Sequence, residues 1–320
     1  MPADRALITG VSGFVGPFLA EDLRDRGMEV AGVDVVKNRC PDFVNFSFCD
    51  VRGRECLEDA LARSEPDLVF HLASLSNIPR SWEDPRLACE INLIGTINLM
   101  EAVRKLGGAP RVLVVTSAVA YGDSLAPGEP VTEDAPLRPT CPFAVTKAAQ
   151  DFLAAQYHTE HGLHTVRVRP FIHGGPGQPD IFLIPWLCRQ AAEVSLGLRT
   201  TVAAPPLHLR FDVTDVRDVA RAYRLALVRG EPGGVYNIAS GNVFSTAQLL
   251  DMLRVISGKD FPVALKEPEG FSELLSHHVG DGSRFADAVG WRAEVPIEKT
   301  LADTFDFWRS RLRSGRRDRD

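Results

Sequence analysis

Tyrosine is scarce in this chain. There are four in 320 residues, Tyr121, Tyr157, Tyr223 and Tyr236, and none is followed by a lysine four positions later. No phenol and ammonium therefore sit one helical turn apart, where they could share a proton-transfer task. Cysteine is sparse too. The six residues Cys40, Cys49, Cys56, Cys89, Cys141 and Cys188 have neither C-x-x-C nor Cys/His metal spacing. No metal site is expected, and the thiols read as reduced, as in a cytoplasmic protein. Long apolar runs are missing. Nothing reaches the roughly 18 uninterrupted apolar residues of a membrane helix, so no span is expected. The N-terminus shows no cationic stretch followed by an apolar one, so no signal peptide is expected. Excess positive charge is missing as well. The formal net charge is -6 and the pI about 5.8, which argues against a nucleic-acid surface. The basic run Arg309, Arg311, Arg313, Arg316, Arg317 and Arg319 is interrupted by Asp318 and Asp320 and reads as a solvated tail.

What is present is 45% hydrophobic residues, enough for a full core. Strand-like apolar runs alternate with helical patterns: strand 6–9, helix 14–26, strand 29–35, helix 57–63 and strand 67–72. A long helix over 86–106, closed by glycines 107 and 108, is followed by strand 112–116, helix 143–161 and strand 164–169. This alternation predicts an α/β fold, a Rossmann-type doubly wound parallel sheet. Residues 1–173 are expected to form the cofactor domain, with later strands returning to it. Residues 174–320 are expected to form mainly a smaller substrate lobe. That lobe begins at a Gly/Pro-rich loop over 174–179. It continues with helices over 183–193, 219–229, 246–256 and 300–311, a short strand pair and a strand over 235–238.

Gly10, Gly13 and Gly16 follow the first strand and open the first helix in a G-x-x-G-x-x-G pattern. Such a turn needs positive φ and bare backbone, and the helix N-terminus beyond it suits a pyrophosphate. Ser12, Phe14 and Val15 belong to the same loop. Asp34 ends the second strand 18 residues after Gly16, where a carboxylate accepts from ribose hydroxyls and repels a 2′-phosphate. The expected cofactor is therefore NAD. Asp50 and Val51 end the third strand and are candidates for adenine contact. Leu72, Ala73 and Ser74 follow the fourth strand and are expected along the cofactor cleft. His71 reads as a core histidine ahead of a functional one.

These segments together resemble a known family, the extended short-chain dehydrogenase/reductases that act on nucleotide sugars. The resemblance is carried by the glycine loop, Asp34, His71-Leu72-Ala73, Asn92-Leu93-Ile94-Gly95-Thr96 and Thr116-Ser117-Ala118 with Tyr121-Gly122. It runs on through Pro142 to Lys147, Arg169-Pro170-Phe171, Gly175-Pro176-Gly177-Gln178, Thr214 to Val219, Tyr236-Asn237-Ile238 and Gly290-Trp291. It covers nearly the whole chain and looks most like the GDP-4-keto-6-deoxymannose reductases. It implies a catalytic trio of Ser117, the residue at 143 and Lys147. Thr116, Phe171 and Lys147 would lie beside the nicotinamide. Ser76, Ser117, His173, Arg189 and Arg210 would face the sugar substrate. It also implies a homodimer formed through a four-helix bundle, which helices 86–106 and 143–161 would supply.

The chain departs from the family pattern at four places. Phe143 stands where the family has its acid/base tyrosine. Ile172 replaces an asparagine near the sugar diphosphate, and Phe211 replaces an arginine, with Arg210 beside it. The late Arg-Pro-Ser-Asp-like segment has no clear counterpart between 268 and 282. A change made to trap a substrate complex would account for Phe143 alone. Without the phenol, Lys147, Tyr121, Cys141 and His173 are the candidate substitutes. An acid pair after the serine, expected of a dehydratase, is replaced by Ala118-Val119, which leaves epimerase and reductase. A cofactor-binding protein of weakened activity, and an enzyme for an unusual substrate of specialised metabolism, stand as alternatives.

Overall fold

The computed structural model describes residues 4–106, 110–124, 129–267 and 279–315. In its first half the strands are β1 (Arg5–Thr9), β2 (Glu29–Asp34), β3 (Asn45–Phe48), β4 (Leu68–His71), β5 (Arg111–Val115) and β6 (Thr165–Pro170). The helices between them are α1 (Gly16–Arg24), α2 (Arg54–Ser64), α3 (Ile78–Glu83), α4 (Pro85–Ala88), α5 (Gly95–Lys105) and α6 (Pro142–His161). The second half adds strands β7 (Ile172–Gly174), β8 (Val202–Ala204), β9 (Arg210–Asp215), β10 (Val235–Ile238), β11 (Val243–Ser245) and β12 (Val263–Leu265). Its helices are α7 (Leu183–Ser195), α8 (Val216–Arg229), α9 (Thr246–Ser257), α10 (Ser283–Val289) and α11 (Ile297–Arg313).

Seven strands form one parallel sheet in the order β10-β6-β5-β4-β1-β2-β3. The two-residue period of a strand sends alternate side chains to opposite faces. In β4, Leu68 and Phe70 join α1 and α8 residues on one face, while Val69 joins α2 and α5 residues on the other. Both faces are covered, which is why these strands read as unbroken apolar runs. The strand order reverses between β1 and β4, so a crevice opens at their C-terminal ends.

A second core lies around Leu187, Ala191, Phe211, Leu250, Leu301 and Phe305, where α7, α9 and α11 pack against β8 and β9. The replacement at 211 therefore puts an aromatic ring into the core of this lobe. The strand of residues 235–238 and the helix after Asp215 return to the large sheet.

The helix expected over 86–106 is broken. Asp84 caps α4 by accepting from Leu87 N at 2.9 Å, and a π-helical turn, Cys89–Ile94, separates α4 from α5. That wider turn carries the fully buried Asn92. The glycines expected to close this helix lie outside the described residues. The first helix starts at Gly16, two residues later than expected, because residues 12–15 belong to the turn. The expectation of six reduced thiols is corrected as well. The end of β3 and the first turn of α2 bring the Cα atoms of Cys49 and Cys56 to 5.5 Å, and the two are joined by a disulfide. A spacing of seven residues announces no such pairing in the sequence.

One buried ion network ties α6 to β6. Asp151 accepts from Arg167 Nη1 at 2.9 Å and from Arg169 Nε at 2.8 Å. Asp151→Ala leaves two poorly hydrated guanidiniums without their counter-charge, a cost of about 3–5 kcal/mol. Calorimetry is expected to show a melting point lower by several degrees. A shift within error would mean that water reaches the network.

Candidate active site

The crevice begins at the β1–α1 turn. Gly10 has φ of +72°, and a Cβ there would lie 2.7 Å from the backbone N of Ala73. The turn is thus wedged against the chain leaving β4, and only glycine fits. Val15 precedes α1 without any side-chain cap, so the first N–H groups of the helix are left for a ligand. Asp34 lies next to the turn. Its carboxylate accepts from Ser12 N at 2.9 Å and from Val35 N at 2.7 Å, while burial pushes its pKa up. Ser12 also donates through Oγ to Val36 O at 2.6 Å. An uncapped helix start beside a carboxylate at a strand end fits a dinucleotide, pyrophosphate at the first and ribose hydroxyls at the second. Asp50 and Val51 sit at the same sheet edge but outside the cleft lining. Asp50 is gripped by Arg52, whose Nη2 lies 2.6 Å from Oδ2, and Val51 packs beneath Gly95.

The cleft has a volume of about 800 Å³. It runs from Gly10, Ser12, Gly13 and Phe14 past Leu72, Ser74 and Ser76 to Thr116, Ser117, Phe143, Lys147, Phe171 and His173. The glycine turn and the expected residues 72, 74, 116, 117, 143, 147 and 171 are therefore gathered in one place, with Asp34 beside the turn but outside the lining. Its far wall is apolar: Ile78, Pro79, Ile172, Ile181, Phe182 and Leu183. Ala73 contributes through the close approach of its backbone to Gly10.

Ser117 follows β5, and its Oγ accepts from Val119 N at 3.3 Å, which leaves the hydroxyl proton free to donate. Cys141 caps α6 through Sγ, which accepts from Ala144 N at 3.4 Å; burial pushes its thiol pKa up, and it is absent from the lining. This removes it as a substitute acid. Phe143 opens α6 with its backbone N donating to Ser81 Oγ at 3.2 Å. Lys147, one turn on, points Nζ at Val115 O, 2.9 Å away, and lies 5.7 Å from the centre of the Phe143 ring. Among the described residues no carboxylate pairs with Lys147. Burial pushes its pKa down to about 7.

Asn92 sets this end of the site. Its Nδ2 donates to Thr146 Oγ1 at 2.8 Å, and its Oδ1 accepts from Ser74 Oγ and Leu75 N at 3.0 and 2.8 Å. The π-turn residue thereby locks the chain after β4 to the turn of α6 that carries Lys147. The sequence marked Asn92 as part of a motif without giving it a task. Nothing in the sequence pointed to Ser81.

Three expectations for the site are corrected. Tyr121 is fully buried and absent from the lining. Its hydroxyl donates to Asn237 Oδ1 at 2.7 Å, accepts from Arg169 Nη1 at 2.9 Å, and is pushed up in pKa by burial. It braces β5 against β6 and β10 and cannot reach the cleft. Arg189 pairs with Asp180 and, at 3.1 Å, with Glu193. Arg210 is exposed at the start of β9, and neither arginine lines the cleft. His173 does line it. Its Nδ1 lies 3.0 Å from Phe171 O, its ring stacks on Phe14 at 5.9 Å, and burial lowers its pKa, so it is neutral with Nε2 unengaged by these contacts. His71 is a core residue. Its ring nitrogens meet Thr9 Oγ1 at 2.8 Å and Thr96 Oγ1 at 3.0 Å, and burial lowers its pKa to about 3.

Comparison with known proteins agrees with this geometry. The sequence profile of the NAD dependent epimerase/dehydratase family matches residues 6–239. The chain is 32% identical to a GDP-6-deoxy-D-mannose reductase of Pseudomonas aeruginosa, over 97% of this chain and 98% of that protein. It is 27% identical to a UDP-glucose 4-epimerase of Mycolicibacterium smegmatis, over 96% and 99% of the two chains. Among solved structures, RMD from Pseudomonas aeruginosa complexed with NADPH superposes with a TM-score of 0.82 at 30% identity, covering 96% of this chain and 98% of that one. A Thermus thermophilus UDP-glucose 4-epimerase complexed with NAD gives 0.84 at 31% identity, covering 95% and 99%.

Proposed function

Since the chain belongs to the NAD dependent epimerase/dehydratase family, we propose that it reduces a ketone on a nucleotide-linked sugar, with Lys147 supplying the proton. The observation that carries this reading is the state of Lys147. It sits buried on the cleft floor with no carboxylate partner among the described residues, and its pKa is lowered to about 7. A group of that pKa is half protonated at neutral pH and well matched to donate.

NADH, which the Gly10–Gly16 turn and Asp34 would hold, would supply the hydride and, unlike the oxidised form, would add no positive charge beside the lysine. Ser117 donates its free hydroxyl proton to the ketone oxygen and holds it. As the carbonyl carbon gains hydride, the oxygen becomes an alkoxide, and the proton that neutralises it comes from the Lys147 ammonium. Phe143 keeps this end of the cleft dry, which strengthens both interactions. Run backwards, the half of Lys147 that is unprotonated at neutral pH would serve as the base, so the lysine alone does not choose the direction; the likeness to a GDP-6-deoxy-D-mannose reductase supports reduction over epimerisation. His173, neutral and aimed along the cleft, suits a hydroxyl of the sugar.

The exposed side chains Ile94, Val145 and Phe152 lie on the π-turn and α6, the elements expected to pair in a homodimer. This supports assembly through that face, to be checked by analytical ultracentrifugation of the intact chain, where sedimentation at the mass of one 35.1 kDa chain would rule it out. No helix among the described residues is long and apolar enough to cross a membrane.

The reading is tested by following absorbance at 340 nm with NADH and a panel of nucleotide-linked 4-keto sugars, against the corresponding hydroxy sugars with NAD. Ketone reduction is expected, with a rate that falls about tenfold per pH unit above pH 7, because the protonated lysine is required. A rate that rises with pH would assign Lys147 as a base and the enzyme as an oxidant or epimerase. NADH binding with no turnover on either panel would leave a binding protein.

A further inference from the structure

Arg39 lies in the β2–β3 connection, five residues after Asp34. It does not turn back to that carboxylate. Its Nη1 instead donates to Gly177 O on the opposite wall of the cleft. Gly177 has φ of +85°, and a Cβ there would collide with the guanidinium, so glycine at 177 both makes the turn and admits the arginine. The loop carrying Gly177 rests on the glycine turn: a Cβ on Gly175 would lie 3.6 Å from Phe14 Cζ, and His173 stacks on Phe14. The side chain of Arg39 thus bridges the crevice, and Arg39 lines it together with Gly10, Ser12, Gly13 and Gln178.

Arg39 also lacks a counter-ion: among the described residues no carboxylate pairs with it, whereas Arg80 has Glu83 at 4.0 Å; Lys147, the other cleft cation without a carboxylate, lies at the catalytic end against Val115 O. Burial and the nearby charge of Arg311 push the pKa of Arg39 below the usual arginine value, the mark of a charge lacking its counter-ion. A guanidinium carries five N–H donors, so it can keep the Gly177 carbonyl and still bind an anion in two-pronged fashion.

We infer that Arg39 is a clamp: it closes over the bound dinucleotide, contacts the pyrophosphate oxygens opposite the N-terminus of α1, and fastens the 174–179 loop above them. The pyrophosphate is chosen over a ribose 2′-phosphate because the guanidinium reaches across to Gly177 O, while Asp34 holds the ribose end with charge of the wrong sign for a phosphate. The inference rests on the cofactor reading given above.

The test is a fluorescence titration of the intact protein and of Arg39→Ala and Arg39→Lys with NADH, NADPH and, by competition, ADP and adenosine. NADH, NADPH and ADP are each expected to bind Arg39→Ala about 10–100-fold more weakly. Adenosine, which has no phosphate, is expected to be unchanged, and lysine is expected to recover part of the loss. A steeper salt dependence in the parent protein is expected too. Affinity for NADH within twofold of the parent would overturn the inference. A loss confined to NADPH would overturn it in favour of 2′-phosphate contact. A loss that includes adenosine would show general damage to the site and overturn it as well. Failure of the parent protein to bind NADH would strike the cofactor reading itself.

Discussion

Lys147→Met is expected to abolish turnover and to make the cofactor-free protein more stable. Both effects come from one burial. The unfolded lysine holds its proton below about pH 10.5, whereas the folded one holds it only below about 7. Between those values the unfolded state binds more protons, so each unit of falling pH costs the folded state about 1.4 kcal/mol. At pH 7 the accumulated cost is on the order of 4 kcal/mol. Methionine fills similar space, has nothing to ionise and gives up one hydrogen bond to Val115 O, whose loss offsets part of the gain. The melting point at pH 7 is expected to rise by several degrees, with the gain shrinking as the pH is raised toward 10. Turnover is expected to fall at least about 10³-fold, since the variant has no proton source. A variant that is less stable at pH 7 would mean that water or an unseen counter-charge already relieves the lysine. A variant that retains turnover would remove Lys147 from the chemistry.

Phe143→Tyr is expected to raise kcat by about 10–100-fold. Phe143 lines the cleft at the first turn of α6, one turn before Lys147. A phenol there adds a second proton donor whose pKa the neighbouring ammonium lowers. The gain is expected in kcat, with KM changing little, because the new group acts on the developing alkoxide and not on the bound ketone. The alkaline limb of the pH profile should move upward as the phenol takes over from the lysine. A fall in kcat would show instead that the ring's apolar surface holds the substrate, and that the site evolved around phenylalanine.

The cofactor half of the site was legible because its chemistry is local. Gly10, Gly13 and Gly16 sit in one turn, and Asp34 ends the neighbouring strand, so the spacing alone brings both to one place, whereas Asp50 and Val51, read from the next strand end, lie outside the cleft. Lys147 could be read for the same reason, since Phe143 and Lys147 are four residues apart on one helix. The substrate half was not legible. Tyr121 and Arg189 have residue types suited to catalysis and to anion binding. Their fates were decided by partners far along the chain: Asn237 and Arg169 take the phenol, and Asp180 and Glu193 take the guanidinium. The break in the helix before Gly95 was invisible for a different reason. A π-turn has the same apolar pattern as the helix it interrupts, and only the buried bonds of Asn92 explain it.

The sequence by itself determined the doubly wound sheet, the dinucleotide turn and the absence of a phenol at 143. Each follows from residues close together in the chain, through strand periodicity, glycine backbone freedom or the chemistry of a single side chain. Tertiary structure alone decided that Lys147 is desolvated with no counter-charge among the described residues, that Cys49 and Cys56 are bonded, and that Arg39 spans the crevice to Gly177. Burial and charge pairing depend on which distant segments meet, and residue order does not contain that information in any local pattern.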